Sequence, residues 1–216
     1  FKDLDVFANT QKINAEIELI KSYTIIKKAL TKVPFETTIS RHGKLKSTEL
    51  FSDAPLKISK IAIESVFLNK PFQLFLRDTS NATIVAPDGT SHDIKMNDTI
   101  RIAHSSFLIS INAYLISEKP NTKVADHYTF EFTGQEHLIS EILKNLDVTA
   151  VDKDVPVIRI SYKSAHPEKA ALFPNALAQA YIEDYVQTKF GAADVTSDFL
   201  NGRINEIGSK LAGTES

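Results

Sequence analysis

Two hydrophobic periodicities divide this chain into a helical beginning, a strand-rich middle and a helical end. Between residues 13 and 33, apolar side chains recur three or four positions apart, which is typical of an amphipathic helix. Asn14 is a suitable N-cap for this helix, and Pro34 is a suitable stop. From residue 35 to residue 132 the period changes to two, which predicts many short strands.

Turn residues separate the predicted strands, most clearly at Pro87-Asp88-Gly89, which predicts a hairpin. The polar region 37–59 also looks irregular, and we expect a flexible loop in it. Together the short strands predict an antiparallel sandwich, jelly-roll-like in character. They are predicted at residues 35–40, 65–68, 72–77, 82–86, 92–96, 99–102, 107–113 and 128–132.

The helical period returns after Gly134, with a short helix over 135–146, a strand over 155–162 and a long helix that begins at Pro167. Pro174 lacks the N–H that a helix interior needs, so we expect a kink or break near Phe173. The fold class is therefore α+β. The expected division is one domain from residues 1–34 and 127–216, with a strand-rich module inserted at 35–126.

Composition narrows the function classes. The 216 residues carry 25 Lys and Arg against 27 Asp and Glu, a formal net charge of −2, which offers no basic surface for nucleic acid. Without cysteine there is no disulfide, thiolate metal site or cysteine nucleophile. No apolar run approaches 18 residues, so no segment is expected to span a bilayer. Because the chain begins with Phe1, we expect it to be part of a longer protein.

The motifs of enzymes and cofactor sites are missing from the sequence. No glycine-rich phosphate loop occurs, and no two of the six histidines have the spacing of a local metal site. We therefore predict no catalytic residue, cofactor or metal ligand. Two possibilities stay open: a pair of carboxylates facing each other across a cleft, as in glycoside hydrolysis, and a sugar-stacking platform built from Phe72, Phe75 or Phe107.

Two segments carry a resemblance to a known family. Residues 14–22, N-A-E-I-E-L-I-K-S, are followed later by V-I-R-I-S-Y at 157–162, H-P-E-K-A-A at 166–171 and N-A-L-A-Q-A-Y-I at 175–182. The order and spacing resemble the polysaccharide co-polymerases, which include the Wzz-type chain-length determinants and the extracytoplasmic part of Wzc-like bacterial tyrosine kinases. His166 stands where the family usually has aspartate, and Pro174 precedes the motif asparagine.

The resemblance implies a Wzz-like α/β base with a long C-terminal helix, on the periplasmic side of the inner membrane. It implies a homo-oligomeric ring that controls the chain length, polymerisation or export of a surface polysaccharide, together with polymerase or export machinery. Flanking transmembrane helices would lie outside this sequence, and a cytoplasmic kinase domain could follow. The family's domain has no catalytic residues of its own, so this part of the protein is not expected to be an enzyme.

If the chain forms a ring, the long helix would supply surface between subunits. Its charged residues are the candidates for those contacts: Glu183, Asp184, Lys189 and Arg203. Two rival functions remain. A carbohydrate-binding or adhesin-like sandwich predicts aromatic residues on an exposed face, whereas a glycan-processing enzyme predicts convergent carboxylates, at least one with a shifted pKa.

Overall fold

The computed structural model describes residues 2–43, 46–119, 122, 124–152, 155 and 157–212. Its elements follow one another in chain order as α1 Lys2–Ile20, α2 Tyr23–Leu30, β1 Thr37–His42, β2 Ser47–Leu50, β3 Leu56–Ala62, β4 Pro71–Leu76, β5 Asn81–Val85, β6 Ser91–Lys95, β7 Thr99–Ile102, β8 Ser105–Ile111, α3 Ala113–Glu118, β9 His127–Phe132, α4 Gln135–Asn145, β10 Leu146–Ala150, β11 Ile158–Tyr162 and α5 Pro167–Ala212. The chain is α+β, as the sequence predicts.

The first predicted helix is two helices. α1 begins far ahead of residue 13, so Asn14 lies inside it and is not its N-cap. The helix is interrupted at Lys21 and Ser22. The Ser22 hydroxyl accepts a hydrogen bond of 3.4 Å from the backbone N–H of Ile25 and so caps α2. A serine that can satisfy a free N–H in this way favours a new helix start over continuation of the old helix.

Two antiparallel sheets pack face to face and form what we call the β lobe, β1 to β9. The larger sheet has six strands in the order β2-β1-β9-β4-β5-β6, and the smaller has three in the order β3-β8-β7. The β5–β6 hairpin turns at Gly89, whose φ of 86° confirms the predicted turn. Both sheets contribute to one apolar cluster, whose largest fully buried members are Tyr128, Phe72, Phe107, Phe130, Phe132, Leu56, Leu74, Ile84 and Ile109.

Two local predictions in the β lobe are wrong. The region 37–59 contains β1, β2 and most of β3, while residues 65–67 form a short 3-10 helix in place of a strand. β3 escapes detection because it is an edge strand, and after Leu56 its side chains are mostly exposed. Of its seven residues, Leu56 is buried and Ile58 half-buried, and this alternation is too short to predict a strand.

The strand-rich cluster also extends further than the expected module 35–126. β9 lies in the middle of the six-stranded sheet, between β1 and β4, and buries Tyr128, Phe130 and Phe132 in the β lobe. Phe35, by contrast, packs in the other cluster. β9 therefore belongs with the β lobe, because its pairing with distant strands decides its place.

The second cluster forms what we call the helical base: α1, α2, α4, the β10–β11 hairpin and the first part of α5. Ile26 and Ala29 of α2, Ile142 of α4 and Phe173 of α5 are almost completely buried in it. Helix α5 continues through Pro174 without interruption, so of the predicted kink or break near Phe173 the break is wrong. Pro174 removes one backbone hydrogen bond in the second turn, while the buried Phe173 beside it holds the helix on the base.

Candidate functional site: the exposed face of the long helix

Helix α5 has 46 residues, and at 1.5 Å per residue it is about 69 Å long. The first part of α5 packs on the helical base through Phe173, Ala176, Leu177 and Ala180, which are all buried. This spacing of three or four residues aligns them along one face of the helix.

Immediately after the buried face, α5 exposes four large apolar side chains. Ile182, Tyr185, Val186 and Phe190 form what we call the apolar stripe, and Phe190 is 68% exposed. Positions separated by three, four and eight residues share one helical face, as the core-facing positions of a packed helix do. An exposed apolar face of this kind is a candidate interaction surface.

Glu183 and Asp184, two of the four predicted interface residues, pair within the chain. Lys32 lies 2.8 Å from a Glu183 carboxylate oxygen, and Lys28 lies 2.6 Å from Asp184. The hydrogen bond from Lys32 holds the pKa of the Glu183 carboxyl below its ordinary value. These two acids therefore attach α5 to the end of α2, a role the sequence does not reveal because α2 and α5 are about 150 residues apart.

Lys189 and Arg203 lie further along α5. The Lys189 ammonium is 5.4 Å from the centre of the Tyr185 ring, a cation–π distance that places it beside the apolar stripe. Arg203 is exposed and lies beyond the stripe in the last third of the helix.

Tyr181 fixes the orientation of α5 against α1. Its hydroxyl donates a hydrogen bond of 2.5 Å to the Glu16 carboxylate. Burial, followed by this bond and the Glu16 charge, raises the pKa of Tyr181 to about 12. The tyrosine is therefore protonated at every physiological pH and remains a donor. Glu16 belongs to the first family-like segment, so the two segments that carry the resemblance meet here.

A second set of contacts joins α5 to the β lobe. The Lys169 ammonium binds the Glu49 carboxylate of β2 and lies 5.4 and 5.1 Å from the rings of Phe35 and Phe51. His166 Nε2 lies 3.7 Å from the same carboxylate. A largely buried cation between two aromatic rings and a carboxylate binds more strongly than an exposed pair. These contacts hold the two lobes together at the start of α5.

The aromatic residues of the β lobe do not form the sugar platform that the sequence left open. Phe72 and Phe107 are completely buried, and Phe72 stacks on Phe130 at 5.0 Å. Phe75 is partly exposed, but one face of its ring is covered by His127 at 4.3 Å. A stacking platform needs several free ring faces side by side, which these three phenylalanines do not provide.

Histidines continue this aromatic row on the outer face of the large sheet. The ring of His127 lies between Phe75 and His42, whose ring is 4.5 Å away. Burial lowers the pKa of the His127 imidazole, the nearby His42 lowers it further, and Asp126 opposes both effects. Within the described part of the chain, no group makes a hydrogen bond to the buried Nε2 atom of His127.

The pKa values of the Asp78, Asp88 and Asp93 carboxyl groups are lowered, which does not match the general acid of a glycosidase. Hydrogen bonds from Ser80, Thr90 and Thr83, respectively, are the largest causes that lower the pKa of Asp78, Asp88 and Asp93. A general acid needs the opposite shift, a carboxyl pKa raised by burial. Over the described residues, no three His, Asp or Glu side chains come together in a way that could hold a metal ion.

Among the described helices, none combines the length and the apolar character that crossing a lipid bilayer would need. That finding concerns these residues alone.

Comparisons with known proteins give little. No family model matches the chain, and no curated protein matches it. Two crystal structures of Xanthomonas campestris FlgL, in space groups C2 and H3, align at 10% identity with TM-scores of 0.24 and 0.21. They cover 82% and 67% of this chain, which spans 57% and 44% of the FlgL chains. Similarity this low carries no argument about fold or function.

Proposed function

We propose that the chain is the extracytoplasmic scaffold domain of an inner-membrane protein that controls the chain length, polymerisation or export of a surface polysaccharide. In this proposal the helical base is the Wzz-like α/β base, α5 is its long C-terminal helix, and the β lobe is an inserted sandwich. The strand-to-helix motif at 157–182 supports the assignment, because it includes β11 and the part of α5 that packs on the base.

The observation that carries the proposal is the apolar stripe on α5. A helix that leaves Ile182, Tyr185, Val186 and Phe190 in water loses the free energy of their burial, about 25 cal/mol for each Å². Packing against another subunit recovers that free energy. A scaffold that acts only when assembled would need such a face, whereas a self-sufficient binding domain would not.

A closed ring also needs a second, different surface on each subunit. The loop of the β10–β11 hairpin exposes Val151, Val155 and Val157, each nearly half exposed. Two unlike apolar patches on one chain suit head-to-tail contacts, which close into a ring when the rotation between subunits permits. Flanking membrane helices would raise the local concentration of subunits and favour closure. The partners would be the polysaccharide and its polymerase or export machinery.

The proposal is tested in the full-length protein in its own cell. Val186→Asp places a charge in the apolar stripe, and we expect the surface polysaccharide to lose its normal length distribution on an electrophoretic gel. Val66→Asp is the matched control, since Val66 is similarly exposed but lies on the β lobe. A normal polysaccharide pattern in the Val186→Asp strain, with the protein present at its usual level, would count against the scaffold function.

A further inference from the structure

A cleft lies where the β lobe meets the helical base. It has a volume of about 930 Å³, and its walls include the whole run 56–60 of β3, the end of α2 near Val33 and the exposed ring of Tyr114. A second cavity of about 530 Å³ shares Pro34, Phe51 and Ser52 with it and continues toward α5. The larger cavity is a groove along the edge strand β3.

Two hydrogen bonds at the ends of the small sheet show to which side each β3 residue directs its backbone N–H and C=O groups. Asn112 N–H donates to the Pro55 carbonyl at 2.8 Å, so the pair before Leu56 is hydrogen-bonded. Bonded and non-bonded pairs alternate in an antiparallel ladder, so Leu56, Ile58 and Lys60 direct their N–H and C=O groups away from β8.

The opposite side of the small sheet gives the same assignment. The Ile109 carbonyl on β8 accepts a bond of 2.9 Å from Asn97 N–H on the β7 side, as a residue paired with Ile58 must do if Ile58 faces outward. Both observations agree on which residue pairs between β3 and β8 are hydrogen-bonded. Three consecutive outward-facing positions of β3 therefore present donors and acceptors to the groove.

No described strand lies along this edge of β3. Among the described residues, β3 pairs with β8 alone, and the ladder ends in a register shift between Lys60 and Ala62. Lys57 is exposed beside the groove and forms no ion pair with any described carboxylate, while Lys60 is paired with Glu36 at 3.0 Å. An unpaired edge in a partly apolar groove is the geometry in which an added strand binds.

We propose that the groove binds an extended acidic peptide segment of another polypeptide, which adds to β3 as a strand. The peptide backbone pairs with the outward groups of Leu56, Ile58 and Lys60. Alternate side chains enter the apolar groove beside Val33, and a peptide carboxylate binds the Lys57 ammonium. This interaction does not depend on the scaffold function.

The experiment uses the 216-residue chain and a capped synthetic heptapeptide, Glu-Val-Thr-Val-Thr-Val-Glu. At saturating peptide, we expect hydrogen exchange of the Leu56, Ile58 and Lys60 amides to slow at least tenfold. The Arg101 amide is the internal control, because it faces outward on β7 at the other edge of the same sheet and its exchange rate should not change. Equal exchange of the three β3 amides with and without peptide would overturn the proposal.

Two variants separate strand addition from nonspecific binding. Ile58→Pro removes an outward N–H without breaking the ladder to β8, and Ser52→Glu adds bulk and negative charge to the groove. Both should weaken peptide binding at least tenfold, whereas Ser91→Glu on exposed β6 should leave it unchanged. Ser52 is exposed, so Ser52→Glu remains decisive even if Ile58→Pro fails to fold. Unaltered binding by Ser52→Glu would contradict the proposal. So would protection of the β3 amides by self-association, seen as a doubled sedimenting mass without peptide.

Discussion

The β lobe and the far part of α5 use aromatic residues in opposite ways. In the β lobe, Phe72, Phe107 and Phe130 are almost completely buried and pack ring against ring within 5.6 Å. On α5, Tyr185 and Phe190 lie outside any core. The first arrangement stabilises one chain, and the second has value only when something covers it. If the proposed function is correct, stability and assembly depend on different regions, which can be altered separately.

The largest effect should come from opening the β-lobe core. Phe130→Ala removes a ring that contacts Phe72, Phe107 and Phe132, and we expect a loss of about 3–5 kcal/mol in the free energy of unfolding. Urea denaturation followed by circular dichroism measures this loss. Phe75→Ala, at a partly exposed ring, should cost less than half as much. Equal losses would mean that the two rings do not differ in packing.

A smaller effect should come from the junction between the lobes. Lys169→Ala leaves the Glu49 carboxylate with only His166 nearby, and we expect a loss of about 1–3 kcal/mol. Lys28→Ala, which breaks the more exposed pair with Asp184, should cost about 0.2–1 kcal/mol. Urea denaturation of both variants checks the order. If Lys28→Ala were the more harmful change, the junction around Lys169 would not be what unites the lobes.

The stability of the chain should depend on pH through His127 in the β lobe. The pKa of His127 is lowered in the folded chain, so below its ordinary value of 6.5 the unfolded chain binds more protons and stability falls as the pH drops. His127→Phe keeps a ring between Phe75 and His42 but cannot titrate. Its loss of stability between pH 7.5 and pH 5 should therefore be smaller than that of the natural chain. Unfolding midpoints at the two pH values measure the difference, and an identical loss in both chains would contradict this assignment.

The smallest effect on stability should come from the apolar stripe. Val186→Asp changes a solvent-exposed position, and we expect the free energy of unfolding of the isolated chain to stay within about 0.5 kcal/mol. Thermal unfolding of dilute protein tests this. A loss comparable to that of Phe130→Ala would show that the stripe packs within the chain, and the contrast between the two regions would disappear.

Local patterns in the sequence predicted much of the fold. The period of the long helix, the hairpin at Gly89 and most of the strands depend on residues close together in the chain, and these appear as expected. The break at Ser22 was missed because the apolar face continues across it, so the periodicity does not reveal the competing cap. β3 was missed because its side chains after Ile58 are exposed, which leaves too short an alternating pattern.

Long-range pairing could not be predicted. β9 joins the β lobe through strands that precede it by more than 50 residues, and Glu183 and Asp184 face lysines on α2. From the sequence alone, Glu183, Asp184 and Lys189 are equivalent charged positions of α5, although Lys189 has no such partner on α2. The packing of α2 against α5 distinguishes two kinds of charged residue. Glu183 and Asp184 form ion pairs within the chain, whereas Lys189 lies beside the apolar stripe.

We propose that α5 assembles copies of the chain. The mass of the full-length protein, extracted from membranes in mild detergent, tests it most directly. We expect a particle of several subunits for the natural protein and a single subunit for the double variant Val186→Asp with Phe190→Asp, while Val66→Asp remains assembled. A natural protein that is already a single subunit, or a double variant of unchanged mass, would contradict the account.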